Sequence, residues 1–132
     1  KYRQILMSGL DYISNGVDKI EGNGYVIINA KNQIKDTIIG TIASIISNSF
    51  DYQEGTVIIA MAYDKEKIKV SSRSVGRNGK NVREILNSIV TKIGGEVGGH
   101  EFAAGCIINK ENEEEFIDKL KKNFEIEKIK IN

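Results

Sequence analysis

The densest chemical signal in the chain is Gly98-Gly99-His100-Glu101-Phe102-Ala103-Ala104-Gly105. Small residues let a backbone come close to a ligand, and consecutive peptide N–H groups can line a concave anion site. His100 adds a ring donor, and a cation once protonated. Read this way, the segment is a loop that grips a phosphate-bearing ligand. Read otherwise, it is a tight turn whose glycines satisfy backbone geometry, with His100 packed or solvated. Glycine-rich loops are common, so the segment alone does not decide between the two.

A second constellation is Ser71-Ser72-Arg73-Ser74, at the end of an alternating stretch. Strand periodicity puts Lys69, Ser71 and Arg73 on one face and Val70, Ser72 and Ser74 on the other. An Arg fork beside a hydroxyl suits bidentate phosphate binding, although most such faces are simply polar surface. Arg77, Lys80 and Arg83 follow, either as accessory phosphate contacts or as solvated charges. Gly40, inside a helical pattern, costs helix stability relative to Ala. Close packing against the sheet or the ligand loop accounts for it, and so does simple tolerance.

The absences matter as much. A metal-dependent hydrolase needs several His and Asp ligands, but His100 is the only histidine and no Asp-x-Asp or His-Asp cluster accompanies it. Cys106 begins an apolar stretch with nothing nearby to activate a thiolate, so it reads as buried and inert rather than as a dyad with His100. Neither a P-loop nor a dinucleotide fingerprint is present. The expectation is a binding element with no complete catalytic centre, no metal ligands and no cofactor of its own.

The elements that must position these residues come from periodicity. Tyr2, Ile5, Leu6, Ile13, Val17 and Ile20 recur at helical spacing, interrupted by Gly9 and Ser14-Asn15-Gly16, as a broken helix or connector. After a turn at Gly22-Asn23-Gly24, residues 25–30 read as a buried strand. Asp36 reads as the N-cap of a helix carrying Ile38, Ile39, Ile42, Ile45 and Ile46. Residues 56–63 are a strand covered on both faces, and 67–75 its antiparallel partner. Asn81 and Glu84 have capping-box spacing before a helix carrying Val82, Ile85, Leu86, Ile89, Val90 and Ile93. Gly94 and Gly95 stop it. Residues 106–109 read as a short strand. A helix capped by Asn112 follows, with Glu113 to Glu115 at its start and lysines toward its end, as the helix dipole favours. Ile126, Ile129 and Ile131 suggest a terminal edge strand. The fold class is therefore α/β: a single domain with a mixed sheet of about five strands, helices packed on it, and an N-terminal linker helix.

Composition bounds the function. The chain has 132 residues, 40% hydrophobic and 28% charged, with a formal net charge of +1. That is one globular domain. The charge argues against a dedicated DNA-coating protein but not against a local basic site. With one cysteine, no signal-peptide pattern and no bilayer-length apolar run, the expectation is a cytoplasmic protein without a membrane partner. The opening at Lys1, inside a helix-like pattern, is expected of a fragment excised from a longer chain, and processing or disorder would look the same.

Together, Ser71-Ser72-Arg73-Ser74, the helix over 82–93 and Gly-Gly-His-x-x-Ala-Ala-Gly at 98–105 resemble the C-terminal DHH-associated domain of DHH phosphoesterases. Ile39-Gly40-Thr41-Ile42-Ala43-Ser44 resembles that family's Ile-Gly-x-x-Ala-Ser helix. The resemblance covers about Tyr25 to Phe124. It makes 1–21 a linker helix or connector and 22–132 the substrate-binding domain. Within the family the pattern is most similar to RecJ-like single-strand exonucleases, archaeal ones among them. Bacterial members often carry an aromatic and a His where this chain has Asn32-Gln33-Ile34-Lys35-Asp36.

The resemblance implies an N-terminal DHH domain in the same polypeptide that holds Mn2+ or Mg2+ and cleaves the phosphodiester, leaving this chain inactive alone. It implies that Ser71 and Arg73 contact a phosphate and that Gly98, Gly99 and His100 face the metal centre, with Ala104 and Gly105 completing the substrate-binding set. His100 would be a phosphate or transition-state contact. The implied partners are single-stranded DNA or RNA, short oligonucleotides, and replication or repair proteins. A nanoRNase, a phosphoadenosine phosphatase and a cyclic-dinucleotide phosphodiesterase use the same domain. So does the RNA-binding C-terminal region of alanyl-tRNA synthetase, which usually has another residue in place of His100.

Overall fold

The computed structural model of the chain describes residues 1–15, 18–49, 51–77 and 79–131, the last five of these by backbone alone. Helix α1 (Tyr2–Ser14) leads into strands β1 (Lys19–Gly22) and β2 (Tyr25–Asn29). Helix α2 (Ile39–Ser47) connects β2 to β3 (Val57–Asp64), and β4 (Lys67–Ser74) returns antiparallel. Helix α3 (Val82–Ile93), strands β5 (Glu96–His100) and β6 (Ala103–Asn109), and helix α4 (Glu113–Ile131) complete the chain. The α/β class expected from the sequence is observed, with six strands in one mixed sheet ordered β1-β2-β3-β4-β6-β5. Only β2 and β3 run parallel, as a helical crossover requires.

The sheet has an apolar core on each face. On one face α3 and α4 place Leu86, Phe116, Leu120 and Phe124 against Ile27, Ile59, Met61, Val70, Cys106 and Ile108. On the other, α2 places Ile39, Ile42 and Ile46 against Val26, Ile28, Ile58 and Ala60. Strand β2 and most of β3 are thus covered twice, and all five residues of β2 are buried. A carboxylate clamps the first turn of α4 to the sheet. Tyr63 Oη donates to Glu113 Oε1 at 2.5 Å, and Asn29 Nδ2 to Glu113 Oε2 at 2.5 Å. Burial, first, and the Glu113 carboxylate push the Tyr63 hydroxyl up to about 12. No helix among the described residues is long and apolar enough to cross a membrane.

Several local expectations change. Ile20 lies in β1, opposite Ile27, because the hairpin turned by Asn23-Gly24 recruits it. Val17 and Gly16 lie outside the described residues. The expected terminal strand is the last turns of α4. No Gly or Pro interrupts 113–131, and extending a helix costs less than starting a new element. Asp36 is not a cap: α2 starts at Ile39 after Ile38, with no side-chain cap. Asn81 does cap α3, accepting from Glu84 N–H at 3.0 Å.

Candidate functional site

The strands β4, β6 and β5 place the residues of interest in rungs. Arg73 pairs with Ala103 and Ala103 with His100; Ser71 with Gly105 and Gly105 with Gly98; Lys69 with Ile107 and Ile107 with Glu96. Because side chains alternate, all nine belong to the sheet face that carries α2. Helix α2 reaches only as far as β4, and a concavity of about 520 Å³ opens beside it. Its lining includes Gly40, Ser71, Arg73, Gly98, Gly105 and Ile107.

The segment 98–105 is therefore a hairpin, not a loop. Gly98, Gly99 and His100 end β5, and Ala103 to Gly105 begin β6. Residues without side chains give no alternation signal, which hides these strands in the sequence. The glycines differ in kind. Gly99 sits at φ +103, where a Cβ would meet the Ala103 oxygen at 2.5 Å, and a Cβ on Gly105 would meet the Val70 oxygen at 2.7 Å. A Cβ on Gly98 would meet nothing within 4 Å. The fold requires the first two to be glycine; nothing in the packing around the third does.

Arg73 stands at the inner end of the concavity, half-buried. Its Nη1 donates to Ser71 Oγ at 3.0 Å and to the Ser72 carbonyl at 2.9 Å, and its Nη2 lies 3.5 Å from the Gly40 carbonyl. Burial pulls its pKa below the ordinary arginine value, although a guanidinium stays charged in proteins. The ion pairs among the described residues do not include it. A partly desolvated cation without a carboxylate is unfavourable until an anion arrives. Gly40 keeps the place open: a Cβ there would lie 3.3 Å from Ser71 Oγ and 3.7 Å from Arg73 Nη2.

His100 is exposed at the hairpin end, and its Nδ1 accepts from the Phe102 N–H at 3.3 Å. That bond leaves Nε2 as the protonated nitrogen of the neutral ring. Ala104 turns its buried side chain toward α3, so it offers this face only main chain. The downstream cations are not brought to the concavity. Arg83 Nη1 donates to the Gly99 carbonyl at 2.6 Å, the Arg77 guanidinium lies 5.3 Å from the Phe102 ring centroid, and Lys80 lies over Phe124 on the α4 side. Cys106 is buried as expected, and burial pushes its thiol up to about 12. It packs on the opposite face from His100, so the two form no dyad. Among the described residues, no group of three or more His, Cys, Asp or Glu is placed to hold a metal ion. Sequence reasoning misses Ile107 and Glu96; the register of β6 and β5 on β4 is what reveals them.

With this geometry in hand, three comparisons are informative. A family model described as the DHHA1 domain matches residues 23–125. No curated protein matches the chain by sequence. Among solved structures, the chain is similar to the C-Ala domain of Aquifex aeolicus alanyl-tRNA synthetase, at 12% identity and TM-score 0.62 over 80% of this chain and 96% of that one. It is similar to RecJ from Thermus thermophilus in complex with Mg2+, at 19% identity and TM-score 0.64 over 92% of this chain and 17% of RecJ. It is also similar to PggH, a pGpG-specific phosphodiesterase from Vibrio cholerae, at 19% identity and TM-score 0.61 over 95% of this chain and 40% of that one. At these identities the likeness is one of fold. The chain corresponds to a minor part of RecJ and of PggH and to nearly all of C-Ala.

Proposed function

Because the chain belongs to the DHHA1 domain family, we propose that it is the substrate-gripping half of a DHH-family phosphoesterase, and that the parent activity is that of a RecJ-like single-strand exonuclease. The observation that carries this reading is Arg73: a half-buried guanidinium, without a carboxylate partner among the described residues, at the inner end of an open concavity. Its fork takes a phosphate oxygen pair, with the Ser71 hydroxyl beside it. Gly98 and Gly105 provide a floor on which the ligand lies against backbone. His100 and Gly99, at the hairpin end, face the reacting phosphate, where the imidazole supplies a donor.

The hydrolytic step, with its Mn2+ or Mg2+, is assigned to an N-terminal DHH domain, because no group of three or more His, Cys, Asp or Glu among the described residues is placed to hold a metal ion. Binding, orienting and desolvating the phosphate are this chain's part. A second reading, an RNA-binding module, is favoured by one observation: the chain spans 96% of the C-Ala domain.

The test is titration with a 5′-phosphorylated single-stranded oligothymidylate at low salt, with tRNA in parallel. Arg73→Ala is expected to weaken oligonucleotide binding about tenfold or more, as loss of charge-assisted hydrogen bonds does. Equal affinity of wild type and Arg73→Ala overturns the phosphate role. Tight tRNA binding without oligonucleotide binding favours the RNA module.

A further inference from the structure

The sheet ends in β5 on one side and β1 on the other, and the two edges differ. The β5 edge is guarded. Gly95 and Gly99 take φ of +134 and +103, and Arg83 Nη1 occupies the Gly99 carbonyl at 2.6 Å; both features hinder a further strand. The β1 edge has neither. Its register runs unbroken from Lys19 opposite Ile28 to Gly22 opposite Tyr25, and no residue in it takes a positive φ. One bond fixes its parity. The Asn29 N–H donates to the Asp18 carbonyl at 3.1 Å, so residues 18 and 29 form a hydrogen-bonded pair. Such pairs alternate along an antiparallel ladder. Ile20 and Gly22 therefore bond inward to β2, and Lys19 and Glu21 turn their main-chain N–H and C=O outward. Among the described residues no other main-chain hydrogen bond reaches Lys19 or Glu21. Their side chains form an ion pair at 3.8 Å. Both line an open concavity of about 500 Å³ with Leu10, Ile13, Ile45 and Tyr52.

We propose that β1 pairs with β1 of a second copy of this chain, antiparallel about a two-fold axis at Ile20, so that two sheets join edge to edge. The parity of the edge restricts the register. Outward residues must stand opposite outward residues for the N–H···O bonds to form. Lys19 can then face Lys19, Glu21 can face Glu21, or Lys19 can face Glu21. The first two set like charges directly opposite, which is destabilising. The third sets Lys19 against Glu21 on both sides of the axis, and each of these pairs exchanges two main-chain bonds. Ile20 meets its own copy in the closer, non-bonded pair, on the face of α3 and α4, where one copy alone leaves it only partly buried. A lone edge lysine discourages pairing; Glu21, two residues on, makes it half of a self-complementary set. The Arg73 concavity lies beyond β2 and β3 from this edge and stays open, so the inference does not depend on the phosphate reading.

The experiment is sedimentation equilibrium of the chain over a concentration series, with amide hydrogen exchange followed by NMR. So small an interface is at the weak end, and wild type is expected to pass from monomer to dimer between about 10 µM and 1 mM. The Lys19 and Glu21 amides should gain protection as the dimer forms, while the Ile20 amide is protected in both states. Lys19→Glu and Glu21→Lys each turn both attractive pairs repulsive and should weaken dimerisation about tenfold or more. The double exchange, Lys19→Glu with Glu21→Lys, restores both pairs and should dimerise like wild type. An equimolar mixture of the two single variants should form the mixed dimer for the same reason. Wild type that stays monomeric at about 1 mM overturns the proposal. So does a dimer that the single reversals leave intact, or one in which the Lys19 and Glu21 amides stay unprotected, since either places the interface elsewhere. A folded double exchange that stays monomeric rules out this register.

Discussion

On the side of β4 and β6 that meets α3 and α4, Val70, Ala104, Cys106 and Ile108 are each at most 4% exposed. On the other side the same two strands carry Lys69, Ser71, Arg73, Ala103, Gly105 and Ile107, with Gly98 and His100 beyond them on β5. The backbone, the register and the hydrogen bonds are shared; only the side-chain parity differs. On the closed face the apolar residues follow from the need to fill space at crystal-like density, with Ser72 and Ser74 as buried polar exceptions. On the open face, packing does not call for a guanidinium without a carboxylate partner among the described residues, a missing side chain at Gly98, or an exposed isoleucine. Under the function proposed above, the open-face residues that packing leaves unexplained are the ones assigned to a ligand. The contrast is sharpest across one rung, where a Cβ on Gly105 would meet the Val70 oxygen and a Cβ on Gly98 would meet nothing within 4 Å.

Substitutions on the two faces should therefore part company. The largest effect is expected on the closed face. Phe116 is fully buried, and Phe116→Ala should lower unfolding free energy by about 3–5 kcal/mol, measured by urea denaturation; a loss below about 1 kcal/mol would mean that α4 does not seal that face. Next comes the glycine pair. Gly105→Ala, which drives a Cβ into the Val70 carbonyl, should cost about 1–3 kcal/mol. Gly98→Leu should leave stability within about 0.5 kcal/mol, as surface changes do, yet weaken oligonucleotide binding by filling the floor. Unchanged affinity in a folded Gly98→Leu chain would remove the open face from the binding argument.

How much of this contrast is legible in the sequence depends on side chains being there to read. The α3 face is plain from Val82, Ile85, Leu86, Ile89 and Val90, a helical stripe with a capped start. Strand parity alone puts Lys69, Ser71 and Arg73 on one face, and they lie there. The hairpin partner cannot be read, because Gly98, Gly99 and Gly105 carry no periodicity, so β5 escapes notice and Ile107 cannot be placed beside Lys69. The terminal helix fails for a different reason: Ile126, Ile129 and Ile131 satisfy helical and strand spacing in part, and only tertiary context separates them. Arg77, Lys80 and Arg83 are close to Arg73 in sequence, but the turn after β4 carries them to the hairpin tip and the α4 side.

The smallest effect uses the one cysteine as a reporter of the closed face. Burial alone raises the Cys106 thiol from 9.0 to about 12. A raised folded-state value means that the neutral thiol is the form the fold prefers. Its contribution is complete below pH 9, the unfolded value, and is lost as pH rises from there toward 12, because the unfolded chain releases the proton first. At pH 10 the wild type should have lost about 1.4 kcal/mol of stability relative to pH 8 through this group. The Tyr63 hydroxyl, raised from 10.0 to about 12, adds its own loss mainly above that point. Cys106→Ala should flatten the decline between pH 8 and 10 whatever it does to stability at neutral pH, since the slope and not the level carries the proton count. Open-face substitutions such as Lys69→Ala or Gly98→Leu should leave that slope alone. If they change it as much as Cys106→Ala does, the two faces are coupled and cannot be treated as separate designs on one set of strands.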